Sequence, residues 1–247
     1  MSEAAIRFEK VSKSFGSRTI LKELSFEIGK GDSVAILGRS GTGKSVTLKL
    51  MIGLLEPDAG DVFVLDRNVA DLDASGLSEL RREMGFLFQS AALFDSISVG
   101  ENIAFPMRRQ SKVDESEIRD RVEELLRQVK LDGEYDKMPA DLSGGMKKRA
   151  ALARSLALRP SVLLVDEPSA GLDPITSEEI DELLISIGEE DETTIVIVTH
   201  NIPSARRICD EMILLDGGLI RARGDLAALE ASDDEVVKKF LSSQSGG

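Results

Sequence analysis

The sequence is short of cysteine, of basic charge and of long apolar runs, and each shortage closes off a class of protein. With one cysteine, Cys209, in 247 residues, no internal disulfide can staple the fold, and its place in a mixed helical stretch points to ordinary packing over redox chemistry. Acidic side chains outnumber basic ones by 44 to 31, for a net charge of −13. Wrapping nucleic acid requires a basic face that neutralises phosphates, so no nucleic-acid partner is expected. A small basic cluster, Lys147, Lys148 and Arg149, reads as a solvated helix face. No apolar stretch approaches the ~18 residues of a membrane-spanning helix, and residues 1–10 show neither a basic leader nor an apolar run followed by small residues. The chain is therefore expected to carry no export signal and to stay in the cytoplasm. Low-complexity tracts and internal repeats are also missing, while 42% apolar and 30% charged residues make this the composition of a folded globular protein.

What is present is an alternation of short β-type runs with helical patterns. Residues 33–37, 85–88, 162–165 and 194–198 read as buried strands, and such alternation predicts an α/β fold with a mainly parallel sheet. Ahead of it, Ile6 and Phe8, then Leu24, Phe26 and Ile28, alternate with polar residues as half-buried antiparallel strands do. From Val99 to Leu158 the strand signal vanishes, and Ile118, Val122, Leu125, Leu126 and Val129 share one helical face, which predicts a helical lobe inserted into the core. Residues 212–215 and 219–223 flank Asp216-Gly217-Gly218 as a hairpin does. Beyond them a short helix is expected to open at Ser232, with Glu235 completing a capping box. The expected plan is a single domain, 1–247. Its core is 1–89 with 159–224, including the antiparallel β subdomain; its helical lobe is 90–158 and its tail 225–247.

Chemistry concentrates at the ends of the predicted strands. Gly38-Arg39-Ser40-Gly41-Thr42-Gly43-Lys44-Ser45 follows one strand and opens a helical run to Leu54, the context a phosphate-binding loop needs. Its glycines let successive N–H groups converge, the helix end adds partial positive charge, Lys44 can reach terminal phosphates and the Ser45 hydroxyl can ligate magnesium. Val46, the next residue into the helix, completes the expected nucleotide-binding set. Asp166 and Glu167 end another apolar strand, at the edge where open α/β sheets bind ligands. Two acids there are often no more than a solvated turn, but beside a phosphate loop Asp166 suits a magnesium shell and Glu167 suits polarisation of the attacking water. His200, the one histidine, follows the strand ending at Thr199; a lone histidine is commonly structural, yet an imidazole here can hydrogen-bond a γ-phosphate. Gln89 ends a further strand, where an amide can touch the metal or its water, and Phe15 can stack on adenine or belong to a core. Last, Ser143 stands as N-cap ahead of Gly144, Gly145 and Met146 on a helix expected to run through Leu158, a second anion site. It lies far from the first in sequence and in a different lobe, so a partner subunit is the natural way to unite them.

Taken together, these motifs resemble ABC-transporter nucleotide-binding subunits from about Ile6 to Arg223. In that family's terms Phe15 matches the adenine-stacking aromatic, Gly38 to Ser45 the Walker A loop, Gln89 the Q-loop and Ser143 to Met146 the signature. Asp166 and Glu167 match Walker B, Asp173 the D-loop and His200 the switch histidine. The resemblance implies an ATPase fold, ATP with Mg2+ held by Ser45, Gln89 and Asp166, and a head-to-tail dimer. Each nucleotide would lie between one subunit's Walker A and the other's signature, beneath a separate membrane permease. Met146 departs from the glutamine most members carry and is similar to the ATPase of Mla/Mce phospholipid transporters. So are the segments 88–96 and 101–106, Lys137-Met138-Pro139, 173–176 and the tail 237–241. This likeness implies two copies at the cytoplasmic face of the inner membrane, an Mce-domain protein, sometimes a STAS-domain protein, and glycerophospholipid as cargo. It also implies that 90–107 receives the permease and that the tail contacts a neighbour, the alternative being that the tail packs on its own domain or frays. The ATPase of a small-solute importer, a soluble ABC switch of DNA repair or translation, and a degenerate ATP-binding module are the rival readings.

Overall fold

In the computed structural model, which describes residues 3–110 and 114–243, the predicted alternation becomes two sheets. The chain runs β1 (Ala4–Phe15), β2 (Arg18–Gly29), β3 (Ser33–Leu37), α1 (Lys44–Met51), β4 (Ala59–Val64), β5 (Arg67–Asn68), α2 (Ala74–Arg82) and β6 (Met84–Leu87). A helical stretch follows, α3 (Val99–Arg108), α4 (Glu115–Gln128) and α5 (Gly144–Ser155). The chain then returns as β7 (Val162–Asp166), α6 (Pro174–Asp191), β8 (Thr194–Thr199), α7 (Ile202–Ile208), β9 (Glu211–Asp216), β10 (Leu219–Gly224), α8 (Leu226–Glu230) and α9 (Glu235–Ser242). One sheet is antiparallel in the order β2-β1-β4-β5; the other has the order β10-β9-β3-β8-β7-β6. In it every pair from β9 to β6 is parallel and β10 closes the edge antiparallel to β9. The α/β reading therefore holds, with the antiparallel sheet beside the parallel one and α3 to α5 inserted between β6 and β7.

The period-two rule of a strand divides the core in two. Ala35 and Leu37 of β3, Leu163 and Val165 of β7, and Ile195 and Ile197 of β8 pack with α4 residues Ile118, Val122, Leu125 and Leu126. Their neighbours Val34, Ile36, Val162, Leu164, Val196 and Val198 pack with Phe8, Leu24 and Ile28 of the antiparallel sheet and with Leu48 of α1. Both faces are covered, which is why these strands read as continuous apolar runs. Truncating one such residue, as in Leu164→Ala, carries a cost of about 2–5 kcal/mol because the packed site collapses only in part.

Several boundaries move. β6 ends at Leu87 and not at Phe88, and α1 stops at Met51, ahead of Gly53 at φ 66. α5 stops at Ser155 and not at Leu158, because Arg159 adopts φ 51 and precedes Pro160. Asp234 caps α9, accepting from Val236 N at 2.7 Å, while Ser232 stands two residues earlier with its hydroxyl accepting from Asp234 N. The expected capping box is thus replaced by an aspartate cap. β4, β5, α2 and α8 carry weak patterns and were not expected. Cys209 is buried; burial, with Asp210 and Asp181 nearby, pushes its thiol above the usual range, which suits packing over reactivity. Among the described residues no helix is long and apolar enough to cross a membrane. Parts of the N-terminal segment, the lobe and the tail, at 1–2, 111–113 and 244–247, lie outside the described residues.

Candidate active site

Strand register brings the predicted residues together. Leu37 pairs with Thr199, and Asp166 with Val198, so the phosphate loop, Glu167 and His200 all emerge side by side from the carboxyl ends of three adjacent strands. They line a cavity of about 570 Å³ with Phe15, Arg39, Ser40, Gly41, Gly43, Lys44, Ser45, Val46 and Gln89.

The loop after β3 can exist only with glycine at its corners. Gly38, Gly41 and Gly43 have φ of 155, 80 and 111, a region that L side chains enter at a cost. A Cβ on Gly38 would lie 2.5 Å from the Leu215 carbonyl oxygen and 2.6 Å from Thr42 Oγ1, and one on Gly43 would lie 2.6 Å from Leu21 Cδ2. Thr42 braces the turn, its hydroxyl donating to the Arg39 carbonyl at 2.9 Å. Gly43 caps α1 with no side-chain acceptor, leaving the first-turn N–H groups unclaimed by any cap.

Charge is tightly paired inside the cavity. Lys44, 6% exposed, donates from Nζ to the carbonyls of Gly38 at 2.8 Å and Arg39 at 3.2 Å, and lies 3.4 Å from Glu167 Oε1. The Ser45 hydroxyl donates to Asp166 Oδ1 at 3.1 Å. Burial raises the Asp166 carboxyl above its ordinary range, the Ser45 bond opposing and the Glu167 charge adding to the shift. Glu167 sits at φ 46, a left-handed conformation that costs a non-glycine residue about 1–3 kcal/mol and tends to mark functional sites. Its N–H donates to Val198 at 2.9 Å, Thr199 Oγ1 donates to its Oε2 at 3.1 Å, and His200 Nδ1 lies 3.0 Å from Oε2. His200 itself is well exposed, at the mouth.

The donor set suits magnesium. Among the described residues no group of three or more His, Cys, Asp or Glu side chains could hold a metal. Ser45 and Asp166 instead offer one hydroxyl and one carboxylate, with the Gln89 amide on the same cavity wall. Such a pair suits an ion that completes its octahedron with phosphate oxygens and water.

Two predicted elements stay outside the cavity. Ser143 caps α5, accepting from Met146 N at 3.2 Å. Ser143 and Gly144 are exposed, Gly145 is buried against Thr176, and none of them lines the cavity. Met146 packs against the larger core. Asp173 caps α6, accepting from Thr176 N at 3.0 Å and from Thr176 Oγ1 at 2.6 Å, bonds that hold its carboxyl below the usual range.

The structure also adds residues that the sequence reasoning missed. Arg18 and Ile20 line the cavity from β2; Arg18 pairs in register with Phe15, which is half exposed. A tight turn joining two strands was the signal that could have found them. Phe240 and Ser243 reach the same wall from the tail, with Val237 and Phe240 buried in the core of their own domain. The basic cluster is corrected as well. Lys148 is 4% exposed and points inward, its Nζ donating to the Phe88 carbonyl at 3.4 Å and the Glu167 carbonyl at 3.3 Å. Burial pushes its ammonium down to about 8, with Asp166 and Glu167 opposing the shift.

Residues 21–170 match the family model described as ABC transporter. The chain belongs to the ABC transporter family. A mycobacterial relative, the probable ribonucleotide transport ATP-binding protein mkl of Mycobacterium leprae, is 43% identical over 96% of this chain and 68% of its own length. The chloroplastic protein trigalactosyldiacylglycerol 3 of Arabidopsis thaliana is 40% identical over 100% of this chain and 76% of its own. Among solved structures, a dimeric ATP-binding cassette in a post-hydrolysis state, bound to ADP and Pi, superposes with a TM-score of 0.83. It is 34% identical, over 90% of this chain and 98% of that one. The ABC chain described here is accordingly an ATPase that binds ATP with Mg2+, the ATP-binding subunit of a transporter complex. ABC cassettes form dimers and work with membrane permeases.

Proposed function

We propose that this subunit drives phospholipid transport of the Mla/Mce type, from the cytoplasmic face of an inner membrane, through a head-to-tail dimer bound to a separate permease. The observation that carries the ATPase half is the convergence of Lys44, Ser45, Glu167 and His200 on one cavity, with Asp166 just behind it accepting from the Ser45 hydroxyl. Magnesium, once bound, would supply neutralisation of the phosphate charge. Phe15 stacks on the adenine, and Gly38 to Val46 hold the phosphates through backbone N–H groups and Lys44. Asp166, Ser45 and Gln89 would hold the ion. Glu167, held by Thr199 and His200, orients the water for in-line attack, and His200 reads the γ-phosphate. Ser143, Gly144, Gly145 and Met146 with Asp173 belong to the site of the partner subunit, a reading supported by the exposure of Ser143 and Gly144 and by none of the five lining the chain's own cavity. Residues 1–89 and 159–224 act as the nucleotide core, 90–158 as the lobe that meets the permease, and 225–247 as the tail.

The lipid half rests on Met146 and on the segment 90–106. A groove lined by Phe86, Phe88, Phe94, Phe105 and Pro106, with Arg81 of α2 and Arg154 of α5 also on its wall, suits a short, largely apolar helix of a permease. The relative named for a galactosylated diacylglycerol supports a glycerolipid cargo; other relatives named for ribonucleotide transport and methionine import mark the alternatives. The deciding experiment purifies the tagged chain from gently solubilised native membranes, identifies what accompanies it and extracts bound lipid. Recovery of a permease with an Mce-domain protein and phospholipid, with or without a STAS-domain protein, is the expected result. A permease with a solute-binding protein would overturn the lipid reading and keep the ATPase, and no membrane partner at all would overturn the transport reading.

A further inference from the structure

Lys148 is a buried cation that the ATP chemistry described above does not use. It rides on α5, five residues past Ser143, at 4% exposure. A buried ammonium needs hydrogen-bond acceptors, and this one takes none from its own helix. Its two bonds go to the Phe88 carbonyl, one residue ahead of Gln89, and to the carbonyl of Glu167. Glu167 is the strained residue of the site, at φ 46. Its N–H is tied to β8 through Val198, while its carbonyl is held by Lys148 and by Ala170 N at 3.2 Å. The peptide groups on both sides of the strained torsion are thus fixed from different elements, one from the sheet and one from the helix that Ser143 caps. Arg154, further along α5, donates to the carbonyls of Ala91 at 2.9 Å and Ala92 at 2.8 Å, so the same helix also grips the segment after Gln89.

We propose that Lys148 is a positioning residue for hydrolysis, which links the helix capped by Ser143 to the backbone of Glu167 and to the strand end before Gln89, so that movement of α5 alters the aim of the Glu167 carboxylate. The proposal rests on the reading of Glu167 as the group that orients water. It gives the chain a direct path between the face offered to a partner's nucleotide and the chemistry of its own, through one side chain and two carbonyls.

The test replaces Lys148 with Met, which keeps the apolar stem and removes the ammonium, in the full chain within the membrane complex it purifies with. Turnover at saturating ATP is expected to fall on the order of 10-fold or more, as small misplacements of catalytic groups do. KM for ATP stays within about twofold, because no contact to the phosphate loop is lost. Lys148→Arg, which restores a cation, recovers part of the loss. In a Glu167→Gln background the added Lys148→Met change lowers the residual rate by less than about twofold, since groups acting through one another are not additive. Wild-type turnover in Lys148→Met, or a full loss repeated in the Glu167→Gln background, would overturn the proposal. So would a KM that rises in step with the loss of turnover. If Lys148→Met does not fold, Lys148→Gln is read by the same three criteria. Wild-type turnover in Glu167→Gln alone would instead remove the role of Glu167, a separate failure visible without any Lys148 variant.

Discussion

The amino ends of two helices are the anion sites of the proposed mechanism, and they are built by opposite means. α1 is entered through Gly43, at φ 111 and without a side-chain cap; α5 is entered through Ser143, at φ −64, whose hydroxyl takes the N–H of Met146. In the first, the turn geometry leaves backbone donors free and the chain's own residues close a cavity around them. In the second, one donor is already claimed, the cap and first glycine face solvent, and the cavity lies elsewhere. On the proposed mechanism the first end is therefore finished within one chain and the second is an open half, which is the physical reason for expecting a second copy to complete it.

The largest expected effect leaves both ends whole. Glu167→Gln keeps the cradle, the cap and the Thr199 donor at 3.1 Å, but removes the negative charge that can accept a proton. Turnover is expected to fall about 10²- to 10⁴-fold, the range of general-base catalysis, while ATP binding persists and the ATP-bound dimer accumulates. Phosphate release beside a sizing measurement checks it; unchanged turnover would take the role away from Glu167.

The next change breaks the first end alone. Lys44 is buried and holds the loop by bonds to the Gly38 and Arg39 carbonyls, the same ammonium that a terminal phosphate would engage. Lys44→Ala should weaken ATP binding by about 2–5 kcal/mol, as truncating a buried charge partner does. Calorimetry with ATP reads the loss directly, and affinity close to wild type would place the phosphates somewhere other than this cradle.

How far the sequence announced all this depends on the kind of signal involved. The phosphate loop was fully legible because its glycines answer to torsion and its lysine to charge, both local properties. β3, β7 and β8 were legible because burial on two faces forces unbroken apolar runs. Lys148 was misread as part of a solvated face, since a cation whose partners are main-chain carbonyls of Phe88 and Glu167 leaves no trace in composition. Arg18 and Ile20 were missed for a related reason: they reach the cavity through the pairing of β1 with β2, a contact set by register. The aspartate cap of α9 was mistaken for a serine cap two residues earlier, because Ser232 and Asp234 are equally good caps on paper.

A smaller effect is expected at the second end. Ser143→Ala removes the bond to Met146 N and should cost about 1 kcal/mol of stability, the usual value of an N-cap, seen as a lower midpoint in thermal unfolding. If the open half completes a partner's site, turnover falls by more than that loss explains. A fall in stability with turnover intact would make Ser143 a cap and nothing else.

The smallest effect on turnover is expected one turn in, at Met146, and it bears most directly on how the two ends differ. In α1 the residue that opens the helix, Lys44, turns back into the loop. In α5 the side chain of Met146 packs with the core shared by the lobe and the sheet, and only its backbone N–H takes part in the cap. Met146→Gln, which restores the residue most family members carry, therefore exchanges a half-buried thioether for an amide with no visible partner among the described residues. A cost of up to about 1–3 kcal/mol in stability follows if the amide stays unpaired, with turnover per folded dimer changed by less than about twofold. A rise in turnover without loss of stability would mean that the side chain swings out to the partner's nucleotide, and the second end would then be closer in design to the first than its cap suggests.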